Sequence, residues 1–274
     1  ELDGGDKIFV AHGNPGTEWL ESVENIPINV DDINNLLNFA LDKKMDLTIV
    51  GPDNPLANGI VDRFQETGLN IFGPTQRAAE IESSKVFAKQ FMHRNNIPTA
   101  EPFHIVDNGL DARKYATQIF KQYRGAVIKV DGLALGKGAF VCRSEADIDD
   151  AIFRIFGKKE FGRAGDRVVV ERLLRGEEAS FIVWTDCNYI IPLLTTQDHK
   201  PVYDGDKGPN TGGMGAYTRP KIMHGLESIM DDIVRPAVDG LANEKRLYKG
   251  VLYAGLMISN GQPYVLEFNA RYGD

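Results

Sequence analysis

The sequence predicts an α/β fold: an open parallel sheet with its helices at the N-terminal end, followed by mixed α+β units. Three observations carry that prediction. Over residues 1–76, short apolar runs ended by Gly or Pro alternate with helical patterns. Residues 103–172 run strand, helix, strand, Gly-rich turn, strand, helix, strand, and two long apolar runs close the chain. Strands that alternate with helices pair in parallel, because each crossover helix packs back on the sheet it left.

The first strand is "KIFVAHG", ended by Gly13, and the second is "DLTIVGPDNP", ended by Gly51 and Pro52. Between them Ile33, Leu36, Leu37, Ala40 and Leu41 recur at helical spacing behind the candidate caps Asp31 and Asp32. A helix across "LANGIVDRFQETG" and a strand "NIFGP" complete the unit. Ligands of such sheets lie beyond the carboxyl ends of the strands, where "AHGNPG" and "VGPDNP" fall. Residues 77–102 form a connection, helical from Thr75 to about Asn96 and broken by "NNIPTAEPF". Residues 103–172 form a small α+β unit, and residues 173–274 a larger one that ends in "GVLYAGLMIS" and "PYVLEFNA".

A net charge of -8 and a pI near 5.2 argue against general binding to nucleic acid or a membrane surface, which needs clustered Lys and Arg. No apolar run approaches the roughly 20 residues of a membrane span, and the start lacks a basic segment followed by an apolar one. Cys142 and Cys187 have no metal spacing and no disulfide framework, which fits a reducing, cytoplasmic setting.

Four constellations point to chemistry. In "DGLALGKG", Gly132, Gly136 and Gly138 expose backbone amides and Lys137 adds charge; a phosphate loop and a flexible hairpin turn both fit. Lys129, in the apolar strand "VIKV" just before it, is either a snorkelling edge lysine or the cation of a phosphate clamp. In "VVVERLLRGEEASF", Glu171, Leu173 and Glu178 suit a hinge that meets an adenine edge and ribose hydroxyls, or else two solvated glutamates. In "VLEFNARYGD", alternation puts Glu267, Asn269 and Arg271 on one face, with Leu266 and Phe268 packed on the other. Carboxylate and amide oxygens together suit magnesium, and the Arg271 fork suits a phosphoryl group or carboxylate. A solvent-facing strand with a Glu267–Arg271 ion pair is the alternative. Finally, "TTQDHKPVYDGDKGPNTGGMGAY" is too polar for a core element and too long for an ordinary connection. It reads as a binding loop for a small, polar, anionic substrate, or as a disordered linker.

With these pieces in order, nearly the whole chain resembles the phosphoribosylamine-glycine ligase family of the ATP-grasp superfamily. The resemblance rests on "TIVGPDNPL", "SSKVFAKQFM", "VIKVDGLALGKG", "GEEASF", "LEFNARYGD" and, most specifically, "QDHK" with "GPNTGGMGAY". It implies an ATP-grasp fold behind a partial Rossmann-like domain, with 103–172 as the lid. Lys85 and Lys129 would hold the phosphates of ATP with Gly136, Lys137 and Gly138 of the flap. Glu171 and Leu173 would meet adenine, and Glu178 the ribose. Glu267 and Asn269 would bind Mg2+ or Mn2+, and Arg271 would act with Lys129 at the transferring phosphoryl group. Asp198, His199, Lys200, Asn210, Thr211, Gly212, Gly213 and Arg271 would line the substrate pocket. The implied reaction joins glycine to 5-phosphoribosylamine through glycyl phosphate, in purine biosynthesis. Another carboxylate-amine ligase of the superfamily, or a catalytically silent nucleotide-binding module, keeps the same fold. The family's opening strand with its "GGREHA"-type loop and its C-terminal domain are not matched, so truncation at both ends is expected. Activity of the chain alone, and fusion to other purine-pathway enzymes, stay open.

Overall fold

Residues 7–134, 137–205, 207–211, 213–223 and 228–273 are described by a computed structural model. The N-terminal unit runs β1 (Ile8–Ala11), α1 (Pro15–Glu18), β2 (Val23–Ile26), α2 (Ile33–Lys43), β3 (Thr48–Ile49), α3 (Asp53–Ala57), α4 (Ile60–Glu66) and β4 (Ile71–Phe72). Pairing is parallel, as the alternating order predicts, but among the described residues it forms two separate pairs, β1 with β2 and β3 with β4. Asp32 caps α2 by accepting the Asn35 amide. The single helix expected across residues 56–68 is split at Gly59, whose positive φ of 83° a helix interior does not accommodate.

The helical stretch from Thr75 is likewise two helices, α5 (Gln76–Ser83) and α6 (Lys85–Arg94). Ser84 breaks it by taking extended backbone, and its hydroxyl accepts the Phe87 amide as the N-cap of α6. Lys85 thereby becomes the first residue of a new helix.

The small unit holds β5 (Phe103–Val106), α7 (Gly109–Tyr123), β6 (Ala126–Val130), β7 (Ala139–Cys142), α8 (Glu145–Ile152) and β8 (Val168–Arg172). Its antiparallel sheet has the order β5-β8-β6-β7, so β6, with Lys129, is an interior strand. Both helices cover this sheet around a core of its own that includes Ile119, Ile128, Ile148, Ile155 and Val170.

The larger unit contains β9 (Glu177–Thr185), β10 (Ile190–Pro192), β11 (Thr196–Asp198), β12 (Pro201–Tyr203), β13 (Lys207–Asn210), β14 (Ala216–Thr218), α9 (Arg235–Asn243), β15 (Gly250–Ser259) and β16 (Gln262–Asn269). The strand path β14-β11-β9-β15-β16 makes the main sheet, with β10 beside β9. The polar segment expected to be a loop is therefore largely short strands: β11 and β14 pair with each other, and β12 and β13 form a hairpin. Alternation on β9 sends Ala179, Phe181 and Val183 into the core and Glu178 and Ser180 to the opposite face. That core continues without a break into α2, α4, α5 and α6, so the N-terminal unit and the main sheet share one interior.

Candidate nucleotide and substrate site

A cleft of about 10 Å³ between α6, strands β6 and β8 of the small unit, and β16 is lined by Lys85, Lys89, Lys129, Val169, Leu266 and Glu267, among others. The geometry starts on β16. Leu256 pairs with Val265 and Gly255 pairs with Glu267, which leaves Leu266 as an extra, unpaired residue. A bulge of this kind interrupts alternation. Val265 and Phe268 are both fully buried, whereas Leu266 and Glu267 are half-buried; Leu266, Glu267 and Phe268 all line the cleft. The expectation that Leu266 and Phe268 share one packed face is corrected by the bulge, which leaves Leu266 half-buried. The freed Leu266 carbonyl accepts a hydrogen bond from Lys129 Nζ at 2.9 Å.

Glu267 Oε2 meets Lys85 Nζ at 2.9 Å. Lys85 beside it holds the Glu267 carboxyl down at about 2, against the opposing cost of burial. Burial also opposes the charge on Lys85, but Glu267 keeps its pKa above the ordinary lysine value. Asn269 follows two positions along β16. One ionised carboxylate with a nearby amide is a hard oxygen donor set, and the described residues contain no cluster of three His, Cys, Asp or Glu. That sparse set fits a magnesium-like cation, which takes one or two protein ligands and fills its remaining positions with phosphate oxygens and water.

Arg271 lies beyond the end of β16 rather than on its face, which corrects its expected place on one strand face with Glu267 and Asn269. Its guanidinium instead stands 3.3 Å from Glu82 Oε1 and donates to the Tyr272 carbonyl. Glu82 also accepts the Ala270 amide at 2.7 Å; burial raises the Glu82 pKa against that bond and the Arg271 charge.

Glu171 is buried in β8. Its Oε1 meets Lys129 at 2.8 Å and its Oε2 meets Lys89 at 2.5 Å. Burial opposes the Glu171 charge, but Lys129 and Lys89 together keep its pKa below the usual glutamate value. The Leu173 amide donates to Gly125 O at 3.2 Å, so within this hinge that amide is already engaged. Of the flap, Lys137 is exposed, and the Gly138 carbonyl accepts the Val130 amide at 2.9 Å. Gly136 lies outside the described residues.

On the main sheet, Lys200 Nζ approaches Glu178 Oε2 at 3.3 Å and Asp198 Oδ2 at 3.7 Å. Burial opposes its charge, yet these carboxylates raise its pKa well above the ordinary value. Ser180 Oγ and Tyr253 OH share a buried 2.7 Å hydrogen bond beside them. His199 stacks on Tyr217 with ring centroids 6.1 Å apart. Thr211 Oγ1 donates to the Lys200 carbonyl and accepts the Gly213 amide, folding this segment over Lys200. Asn210 ends β13, and Gly212 lies outside the described residues. Sequence reasoning missed Lys89, Glu82, Ser180 and Tyr253. For Lys89 there was a signal, a lysine one turn after Lys85 inside the apolar run "KVFAKQFM".

Comparison with known proteins gives the family. The phosphoribosylglycinamide synthetase N domain matches residues 3–82, and the ATP-grasp (A) domain of the same synthetase matches residues 83–274. The phosphoribosylamine-glycine ligase of Yersinia pestis is 48% identical over 272 residues, and that of Haemophilus influenzae also 48%. These alignments cover 98% of this chain but 63% and 62% of the relatives, so the chain spans less than two thirds of their length. The crystal structure of phosphoribosylamine-glycine ligase from Thermotoga maritima superposes with a TM-score of 0.80 at 31% identity, over 98% of this chain and 64% of that one. An N5-carboxyaminoimidazole ribonucleotide synthetase, solved as its ADP complex, superposes at 0.69 with 16% identity, over 97% of this chain and 64% of that one. That last likeness is one of fold alone.

Proposed function

The chain belongs to the phosphoribosylglycinamide synthetase family and has the ATP-grasp fold, and from that membership we propose that it ligates glycine to 5-phosphoribosylamine with ATP, giving glycinamide ribonucleotide, ADP and phosphate. One observation carries the reading. Lys85, Lys129 and Glu267 meet at a single cleft between lid and sheet, although 182 residues separate Lys85 from Glu267. Two ammonium groups beside an ionised carboxylate suit a polyphosphate with its cation.

In this reading a glycine carboxylate oxygen attacks the γ-phosphorus and ADP leaves. The amine of phosphoribosylamine then attacks the acyl carbon of glycyl phosphate and phosphate leaves. Both nucleophiles come from substrates, so the protein contributes position and charge. Lys85 and Lys129 would offset the phosphate charge, Glu178 would take the ribose hydroxyls, and Arg271 would act at the transferring phosphoryl group. Leu173 contributes apolar surface and a carbonyl to adenine, its amide being engaged with Gly125. Glu267 and Asn269 would hold Mg2+ or Mn2+, which when bound supplies charge neutralisation at the phosphates. Lys200, kept protonated by Glu178 and Asp198, suits an anionic substrate group and not a base. Together with Asp198, His199, Asn210 and Thr211 it would wall the pocket for glycine and phosphoribosylamine. A cytoplasmic setting goes with this reading, on the two free cysteines.

The test is ADP release by this chain with Mg-ATP, glycine and freshly generated phosphoribosylamine, each omitted in turn. Release that needs all three is expected, and Glu267→Gln should abolish it while leaving the circular dichroism spectrum in place. Release that ignores glycine, or full turnover by the variant, would remove the reading.

A further inference from the structure

Lys89 has no place in the chemistry above, yet it is among the most deeply buried charged residues described, at 2% exposure. It lies one turn after Lys85 on α6. Its Nζ stands 2.5 Å from Glu171 Oε2 and 2.6 Å from Thr99 Oγ1. The Thr99 hydroxyl in turn donates to Val265 O at 2.8 Å, where Thr99 bridges to the β16 strand. Lys89 is thus fixed to the body of the molecule by a partner that has nothing to do with the lid. The other Glu171 oxygen faces Lys129, which also donates to the bulged Leu266 carbonyl. One carboxylate therefore sits between two ammonium groups, with Glu171 and Lys129 on the lid and Lys89 on the body.

The charge count gives this arrangement a use. Were Lys129 the sole partner of Glu171, turning its ammonium toward another anion would strand a carboxylate in a dry interior, and removing one member of a buried pair is strongly unfavourable. With Lys89 in place, Glu171 stays compensated whichever way Lys129 turns. Lys89 lines the cleft, but its ammonium is already held by Glu171 Oε2 and Thr99 Oγ1. We propose that Lys89 is a positioning residue: as the resident counter-ion of Glu171, it frees Lys129 to engage the phosphates of a nucleotide. This rests on the reading that Lys129 is a phosphate ligand, and so the test separates the two.

Mg-ATP affinity of the 274-residue chain would be measured by titration calorimetry for the parent, Lys129→Met, Lys89→Met, Lys89→Arg, Glu171→Gln and the double variant Lys89→Met/Glu171→Gln. Lys89→Met should bind about tenfold or more weakly, and Lys89→Arg within about threefold of the parent, because the guanidinium keeps the counter-charge. The double variant should bind within about threefold of Glu171→Gln alone, since no carboxylate is left to compensate. A purely structural lysine would show its loss undiminished on the Glu171→Gln background. That outcome, or parent-like binding by folded Lys89→Met, overturns the proposal. Where Lys89→Met fails to fold, the comparison of the double variant with Glu171→Gln decides by the same criterion. Loss of binding in Lys129→Met with none in Lys89→Met removes this inference only, whereas unchanged binding in Lys129→Met removes the phosphate-ligand reading with it.

Discussion

The charge on Glu171 is kept by two lysines against the cost of its own burial, which ties stability to pH in one direction. Its pKa in the folded protein lies below the ordinary glutamate value of 4.5. The contribution is therefore fully present above 4.5 and is lost as pH falls below it toward the folded value. Glu171→Gln leaves Lys89 and Lys129 uncompensated at neutral pH, a change that costs about 3 kcal/mol when a buried pair loses one member. Thermal melts of the two proteins should differ most at pH 6–7, and the gap should shrink steadily below 4.5. A gap that is constant down to pH 3.5 would show that the carboxylate is not held ionised by the fold. At this scale the sequence spoke partly. Alternation in "VLEFNAR" grouped Glu267 with Asn269, but it also grouped Leu266 with Phe268 and placed Arg271 beside Glu267. The bulge depends on how β15 pairs around Gly255, and the end of β16 on Glu82 binding the Ala270 amide. Neither partner lies within the motif, so the motif alone could not reveal them.

Helix α6 presents Lys85 because it begins at Ser84, and its start is set from another unit. Asp131, at the end of β6, accepts the Ser84 hydroxyl at 2.7 Å and the Val86 amide at 3.1 Å. Its other oxygen accepts Arg167 Nη2 at 2.6 Å. The carboxylate thus does the work of an N-terminal cap while tying the end of β6 to the helix that carries Lys85. Asp131→Ala should cost about 2 kcal/mol, since a cap and a charge-assisted bond are lost together, and lower the melting temperature by about 4–8 °C. Arg167→Ala removes a half-exposed partner and should cost less than about 1 kcal/mol. Equal shifts for the two variants in differential scanning calorimetry would mean that the helix start does not depend on Asp131. Existing helices were legible from spacing, as with α2 behind Asp32. The break at Ser84 was not, because the group that stabilises it lies 47 residues away.

The molecule is built from two interiors, one shared by the N-terminal unit and the main sheet and one belonging to the small α+β unit, with the cleft along their seam. The order of units was legible because βα alternation and the antiparallel closing pair each have a distinct period. The shared interior was not, since periodicity marks which face of an element is apolar but not which distant element covers it. Across the seam the described contacts include polar ones, Lys129 to Leu266 O, Glu171 to Lys89, and Asp131 to Ser84 and Val86, and ring contacts, Arg172 over Tyr264 and His93 against Phe103. A ligand that bridges the small unit and the body adds contacts along this seam. Anything that binds the folded chain alone stabilises it by RT ln(1 + [L]/Kd), about 2.7 kcal/mol at a hundredfold excess over Kd. For a chain of this size that amounts to a rise of about 5–10 °C in melting temperature with saturating Mg-ATP. Amide exchange should slow at the same time in β6 and β8, which meet the seam, and not in β1 and β2, which lie away from it. If the melting temperature rises while protection increases equally in all four strands, the nucleotide stabilises the molecule without bridging the seam, and the cleft is not its site.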